Sequence, residues 1–259
     1  MKKKTQKIYL RKIYFLLFAL PVFLFACTKD NATTDAKAED NTEKLVSYLE
    51  TQGFKKDKIV LKGDQFILDG DVLISKEEVE KRVANDANPN RIPSGEHWRG
   101  LYLISNTYNT NVRLYIDPAV PAAWRTAIQG AVNNWNAVNG TRLGMSIITS
   151  ASGVYTRVFM GFESANWIAR AYLPTSNGRP GVSVEINSNY NSLPASQKLF
   201  AITHELGHTI GFYHTNQTQG VFITGTPSVD ANSVMNSFVL NWAGFTSGDV
   251  TATQIIYPQ

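Results

Sequence analysis

Apolar residues recur along this chain with two different periods. Between positions 121 and 138, Trp124, Ile128, Ala131, Trp135 and Val138 fall three or four residues apart, the spacing of one helix face. Pro121 stands at the start of that segment and Gly140 just beyond its end, where a helix begins and stops most readily. Leu199, Ile202 and Leu206 repeat the same spacing over 195–211, which predicts a second helix. Elsewhere the apolar runs are short and bounded by Gly, Ser and Asn. Residues 101–104, Val112–Ile116, 143–148, 156–162, 167–173 and 182–186 therefore read as strands. A last helix is expected near 249–257, capped by Thr246 or Ser247. The expected fold class is α+β, with a mixed, mostly parallel sheet packed on the 195–211 helix.

The first ninety residues pattern differently. Leu45, Val46, Tyr48 and Leu49 predict a short helix, and 59–61, 66–68 and 72–74 predict three short strands turning at Gly63-Asp64 and Gly70-Asp71. Ser75 and Glu78 have the spacing of a capping box opening a helix through Val79 and Val83. Residues 44–90 thus form a small unit that ends in a linker with Pro89 and Pro93, and 91–259 form the main domain. About forty residues bury too little to be stable alone, so the unit should lean on its neighbour. Residues 27–43 are polar and small and read as a flexible tether. Residues 1–26 place a basic start before an apolar run over 13–26. That run is shorter than the roughly 18–20 residues that span a bilayer, which favours an export signal over a transmembrane helix.

The signal changes how charge is read. Six of the 25 basic residues lie in 1–26, which hold no acid, so the rest of the chain carries 19 basic against 21 acidic residues. No basic patch remains to suggest a nucleic-acid partner. Leu24-Phe25-Ala26-Cys27 resembles the lipobox of bacterial lipoproteins, and Cys27 is the one cysteine in the sequence. That resemblance implies cleavage before a lipidated Cys27, a membrane anchor and a bacterial outer-membrane or cell-surface location; an ordinary signal with a chance cysteine is the alternative.

The chemistry concentrates in one segment, His204-Glu205-Leu206-Gly207-His208-Thr209-Ile210-Gly211-Phe212-Tyr213-His214. His204 and His208 are four apart on a predicted helix, so both imidazoles can reach one zinc ion at about 2.0–2.1 Å. Gly211 can take the left-handed conformation that ends a helix and turns the chain, letting His214 return as a third ligand. Zinc held by three histidines keeps a position for water and lowers its pKa from about 15.7 towards 7. Glu205 stands beside the first histidine and can act as general base. The fourth histidine, His97, falls in the linker region and reads as a surface residue.

This segment resembles the metzincin signature H-E-x-x-H-x-x-G-x-x-H, and Ser233-Val234-Met235-Asn236 resembles the methionine turn that accompanies it. The likeness is closest to the bacterial dual-action HEIGH metallopeptidases, through HELGHTIGFYHT, Thr226-Pro227 with Asp230, and the Ser247-Gly248-Asp249 helix with Tyr257-Pro258. It implies a zincin-like domain and one catalytic zinc. It also implies an endopeptidase acting on proteins or peptides, with Met235 beneath the ligands. Thr215 and Ser237 depart from astacins, which carry glutamate and a zinc-binding tyrosine there, so no fifth ligand is implied. An edge strand should receive the substrate backbone, either 167–172 or the run 182–186. Leu68-Asp69-Gly70-Asp71 resembles the element by which astacin propeptides set an aspartate on zinc. Asp71 would then keep a zymogen latent until cleavage within 86–99, although Asp-Gly is equally the signal of a plain β-turn.

Overall fold

The computed structural model describes residues 31–85 and 97–259. The expected signal, Cys27 and the linker lie outside the described residues. In chain order the elements are α1 (Asn31–Thr51), β1 (Ile59–Lys62), β2 (Gln65–Leu68), β3 (Val72–Ser75), α2 (Lys76–Asn85) and β4 (Trp98–Arg99). There follow β5 (Val112–Ile116), α3 (Ala122–Asn136), β6 (Met145–Ile148), β7 (Thr156–Gly161) and β8 (Ala169–Tyr172). The chain continues through β9 (Ser183–Asn187), α4 (Ala195–Ile210), β10 (Val221–Phe222) and α5 (Ser247–Ile256). Residues 1–39 form one unit, described as helix from Asn31 onward, and residues 40–259 form a second.

Eight strands make one mixed sheet in the order β1-β2-β3-β8-β9-β7-β5-β6. The pairs β5–β6, β5–β7, β7–β9 and β3–β8 are parallel, and β8–β9 and the β1–β2–β3 meander are antiparallel. The N-terminal unit therefore extends the sheet of the main domain across the boundary near residue 90. Ala171 N donates to Asp71 O at 2.9 Å and Leu173 N to Leu73 O at 3.0 Å, so β3 occupies the outer edge of β8. Of the two expected substrate edges, 182–186 is excluded, because β9 lies inside the sheet between β8 and β7.

Helices α3 and α4 pack together. Trp124, Ile128, Ala131 and Trp135 from α3 share one buried core with Ile202, Leu206 and Ile210 from α4, as the helical spacing requires. A second core joins Leu45, Leu49, Phe66, Leu68, Val72, Ile74 and Val79 of the N-terminal unit to Trp98, Leu173 and Tyr213 of the main domain. The unit does lean on its neighbour. Ser75 Oγ caps α2 by accepting from Glu78 N at 3.1 Å. The Glu78 carboxylate does not close the box; it accepts from Ser176 N at 2.6 Å and from Arg82 Nε at 3.0 Å. Arg82 in turn donates to Pro174 O at 2.5 Å, so a buried ion pair fastens α2 to the turn after β8.

Four expectations need correction. Helix α1 begins at Asn31, inside the stretch read as a flexible tether, where Ala32, Ala36, Ala38 and Glu39 favour helix once a turn has formed. Residues 101–104 are not a strand: Gly100 N donates to Gly211 O and Ile104 N to the Tyr257 hydroxyl, so no ladder forms. His97 is 1% exposed rather than on the surface. Trp98 is buried too, and Trp98–Arg99 pair with β10, so the end of the expected cleavage stretch 86–99 is not open to a cut.

Candidate metal centre

Helix α4 ends where the sequence requires. Gly211 has φ +111°, the left-handed conformation that a side chain would strain, and its N–H closes the last turn on Gly207 O and His208 O. The reversal brings His214 back beside the two helix histidines. The His204 and His208 rings stand perpendicular with centroids 4.5 Å apart, and His214 lies 4.9 Å from His208 and 5.3 Å from His204.

The outer nitrogens fix the ring orientations. His204 Nδ1 bonds Val234 O at 2.7 Å and His208 Nδ1 bonds Phe212 O at 2.8 Å, which makes Nδ1 the donor and frees Nε2 on each ring. Phe212 is itself held by stacking on Trp135, whose Nε1 donates to Thr203 O at 3.0 Å. Met235 is buried, and its sulfur packs so closely on Gly207 that a β-carbon there would collide with it. The turn that carries Val234 and Met235 thus lies against α4 between its two histidines.

Asp71 completes the group. Its Oδ2 is 3.3 Å from His214 Nε2 and 3.7 Å from His204 Nε2. One ligand-type atom from each of Asp71, His204, His208 and His214 lies within 4.8 Å of the others. His208 Nε2, both nitrogens of His214 and Asp71 Oδ1 are buried without hydrogen-bond partners. An unpaired buried polar atom costs about 1–3 kcal/mol, so the unpartnered Nε2 atoms of His208 and His214 beside the Asp71 carboxylate fit a bound cation. The donor set, three imidazoles and a carboxylate, suits zinc.

Asp69 and Gly70 have φ +52° and +101°, so the three-residue loop between β2 and β3 is the β-turn that Asp-Gly signals. The same turn delivers Asp71 to the histidines, and the two expectations for this segment prove compatible. The Gln219 side chain also bonds Asp69.

Electrostatics follow from this crowding. Burial, with Asp71 nearby, holds the Glu205 carboxyl well above the usual carboxylate range. Burial and the neighbouring His204 and His214 hold His208 well below the usual imidazole range. Burial opposes charge on His214, but the facing Asp71 carboxylate outweighs it and raises its pKa. Burial likewise opposes charge on Asp71, yet the three imidazoles bring its carboxyl below its ordinary value.

Glu205, His204 and Asp71 line a cavity of about 290 Å³ together with Trp167, Phe200 and Phe238. Glu205 Oε2 is buried and unpartnered beside it. The periodicity of the sequence revealed none of the apolar walls, because they meet only when β8, α4 and the segment after Met235 come together. Ser237 lines the same cavity and bonds Asn216, and so lies near the centre without joining the histidine group.

A histidine-rich group on a helix, backed by a methionine turn beneath a mixed sheet, defines a metalloendopeptidase. The chain belongs to the dual-action HEIGH metallo-peptidase family, whose model matches residues 67–221. No curated protein sequence matches it. Among solved structures it is similar to myroilysin in two determinations. One has 13% identity and a TM-score of 0.43 over 66% of this chain and 94% of that one. The other has 11% identity and a TM-score of 0.41 over 58% and 81%. It is also similar to high choriolytic enzyme 1, a hatching-enzyme zinc protease of the medaka fish Oryzias latipes. There the identity is 15% and the TM-score 0.38, over 60% of this chain and 93% of that one.

Proposed function

We propose that this chain is a zinc endopeptidase that cleaves internal peptide bonds of proteins outside the cytoplasm. In this reading His204, His208 and His214 hold the metal and Glu205 is the general base. The observation that carries it is the convergence of three imidazoles, two of them with partnerless buried nitrogens, beside a cavity that His204 and Glu205 line. Zinc bound there would acidify a water molecule and polarise the scissile carbonyl. Glu205 would take the proton from that water and hand it to the departing amine. Burial raises its carboxyl above the usual carboxylate range, the direction that favours taking up a proton. Val234 O and Phe212 O would hold two ligand rings in one tautomer, so that no ring needs to turn when metal binds.

In this reading the form with the N-terminal unit in place would be latent. Asp71 faces the ligand nitrogens, and β3 pairs with the edge of β8, where a peptide substrate would add as a strand. Cleavage before His97 would let β3 and Asp71 withdraw. Lipidation at Cys27 would hold the protein on a membrane, with the catalytic body outside the cytoplasm. Intact mass of the membrane fraction should then exceed the polypeptide from Cys27 by the acyl groups. A Cys27→Ser protein that stays with the membrane would contradict the anchor. Casein digestion by the processed protein, with and without a chelator, tests the activity itself. Chelation should abolish cleavage and zinc should restore it, whereas chelator-resistant cleavage would refute a metal mechanism.

A further inference from the structure

A second cluster of titratable side chains has no part in that chemistry. His97, Asp230 and Asp249 are 19 or more residues apart in sequence, yet bring ligand-type atoms within 4.8 Å of one another. A metal is a poor occupant, because the oxygens concerned are already engaged. Asp249 Oδ1 accepts from Ser233 Oγ at 2.6 Å, and its Oδ2 accepts from Val234 N at 3.1 Å and Thr246 N at 3.0 Å. Asp230 Oδ2 accepts from Thr246 Oγ1 at 2.5 Å and meets His97 Nε2 at 2.9 Å. Packing is equally tight, since a β-carbon on Gly248 would collide with both Asp230 and His97. These bonds form one path from the start of the catalytic body, through the cap of α5, to the methionine turn.

We propose that Asp249 is a positioning residue for the metal centre and acts on His204 through Val234. The Val234 N–H is fixed by the Asp249 carboxylate, and the Val234 carbonyl accepts from His204 Nδ1 at 2.7 Å. One residue of the turn thus takes its place from Asp249 and gives the ligand ring its orientation. Ser233 tightens the link, because its hydroxyl donates to Asp249 and accepts from Met235 N at 3.0 Å. Asp249 is 3% exposed and satisfies several donors, the arrangement of a rigid support rather than of a solvated surface acid. His97 and Asp230 brace the same carboxylate from outside through Thr246, which caps α5. Asp249 does not line the cavity and touches no substrate.

The inference rests on reading His204 as a metal ligand, and the two can fail separately. Zinc affinity is measured by chelator competition on folded wild type, H204A, D249N and S233A, alongside the melting temperature of each metal-free protein. Wild type that binds no zinc, or H204A that binds as tightly as wild type, refutes the ligand reading and the proposal with it. Where wild type binds and H204A does not, Asp249→Asn should weaken zinc by about 10–100-fold, the usual cost of losing an outer support. Ser233→Ala should weaken it by less. In both variants kcat should fall with little change in KM. A purely structural cap would lower the melting temperature and leave the zinc constant of the folded protein unchanged, and that result in D249N overturns the proposal. Should D249N not fold, S233A decides alone: weaker zinc binding supports the proposal, and a wild-type constant overturns it.

Discussion

The two cores of this molecule are built alike and serve different ends. The larger closes α3 and α4 on the sheet and draws its apolar residues from the main domain, from Ile104 to Tyr257. The smaller is shared: Leu45, Leu49, Phe66, Leu68 and Val79 come from the N-terminal unit, and Trp98, Leu173 and Tyr213 from the catalytic body. The difference teaches that the catalytic body can bury its own centre but not its own surface. Without residues 41–85 its Trp98 and Tyr213 would meet water, an exposed apolar patch of the kind soluble proteins avoid. The contacts proposed to block the site thus also stabilise the molecule, and after a cut in the linker the N-terminal unit must leave them before the site opens.

That comparison can be broken at several points. The largest loss of stability is expected at the clamp, where Arg82→Ala leaves the buried Glu78 carboxylate without its cation, at a cost of about 3–5 kcal/mol. Denaturant unfolding should show that loss, and the uncleaved protein should become more active as α2 lifts from the Pro174–Ser176 turn. Truncating each core in turn sharpens the contrast. Leu68→Ala and Leu114→Ala should each cost about 2–5 kcal/mol, since both residues are fully buried. Only Leu68→Ala should raise the activity of the uncleaved protein, and equal behaviour of the pair would erase the distinction between the cores.

Asp71→Ala makes the cleanest separation, because Asp71 joins the site without filling either core. Activity of the uncleaved protein should rise while that of the processed form stays constant. If wild type and variant are equally active before cleavage, the N-terminal unit is a folding aid or spacer only. The smallest effect is expected at the far end of the body. Thr246→Ala removes the α5 cap and should cost about 1 kcal/mol in unfolding experiments, with latency unaltered.

How much of this was legible in the sequence follows the range of the contacts. The histidine spacing, Gly211 and the α3 and α4 faces are local, within a few turns of helix, and each could be read from periodicity alone. The capping residues Ser75 and Thr246 were legible for the same reason. Pairing of β3 with β8 was not, because it joins residues about a hundred positions apart and parallel partners leave no turn between them. His97 was misread because a linker position predicts exposure, whereas its burial depends on Asp230 and Gly248, far along the chain. The run 101–104 has the composition of a strand, but its backbone groups are met by Gly211 and Tyr257 instead of a neighbouring strand.

The central claim is that three histidines hold a zinc ion and that Glu205 moves the proton. It is tested most directly by measuring the zinc content and casein cleavage of processed wild type and processed Glu205→Ala side by side. Both proteins should carry one zinc per chain, and cleavage by the variant should fall by at least about a hundredfold. A Glu205→Ala protein that keeps wild-type activity, or that loses its zinc, would contradict the account.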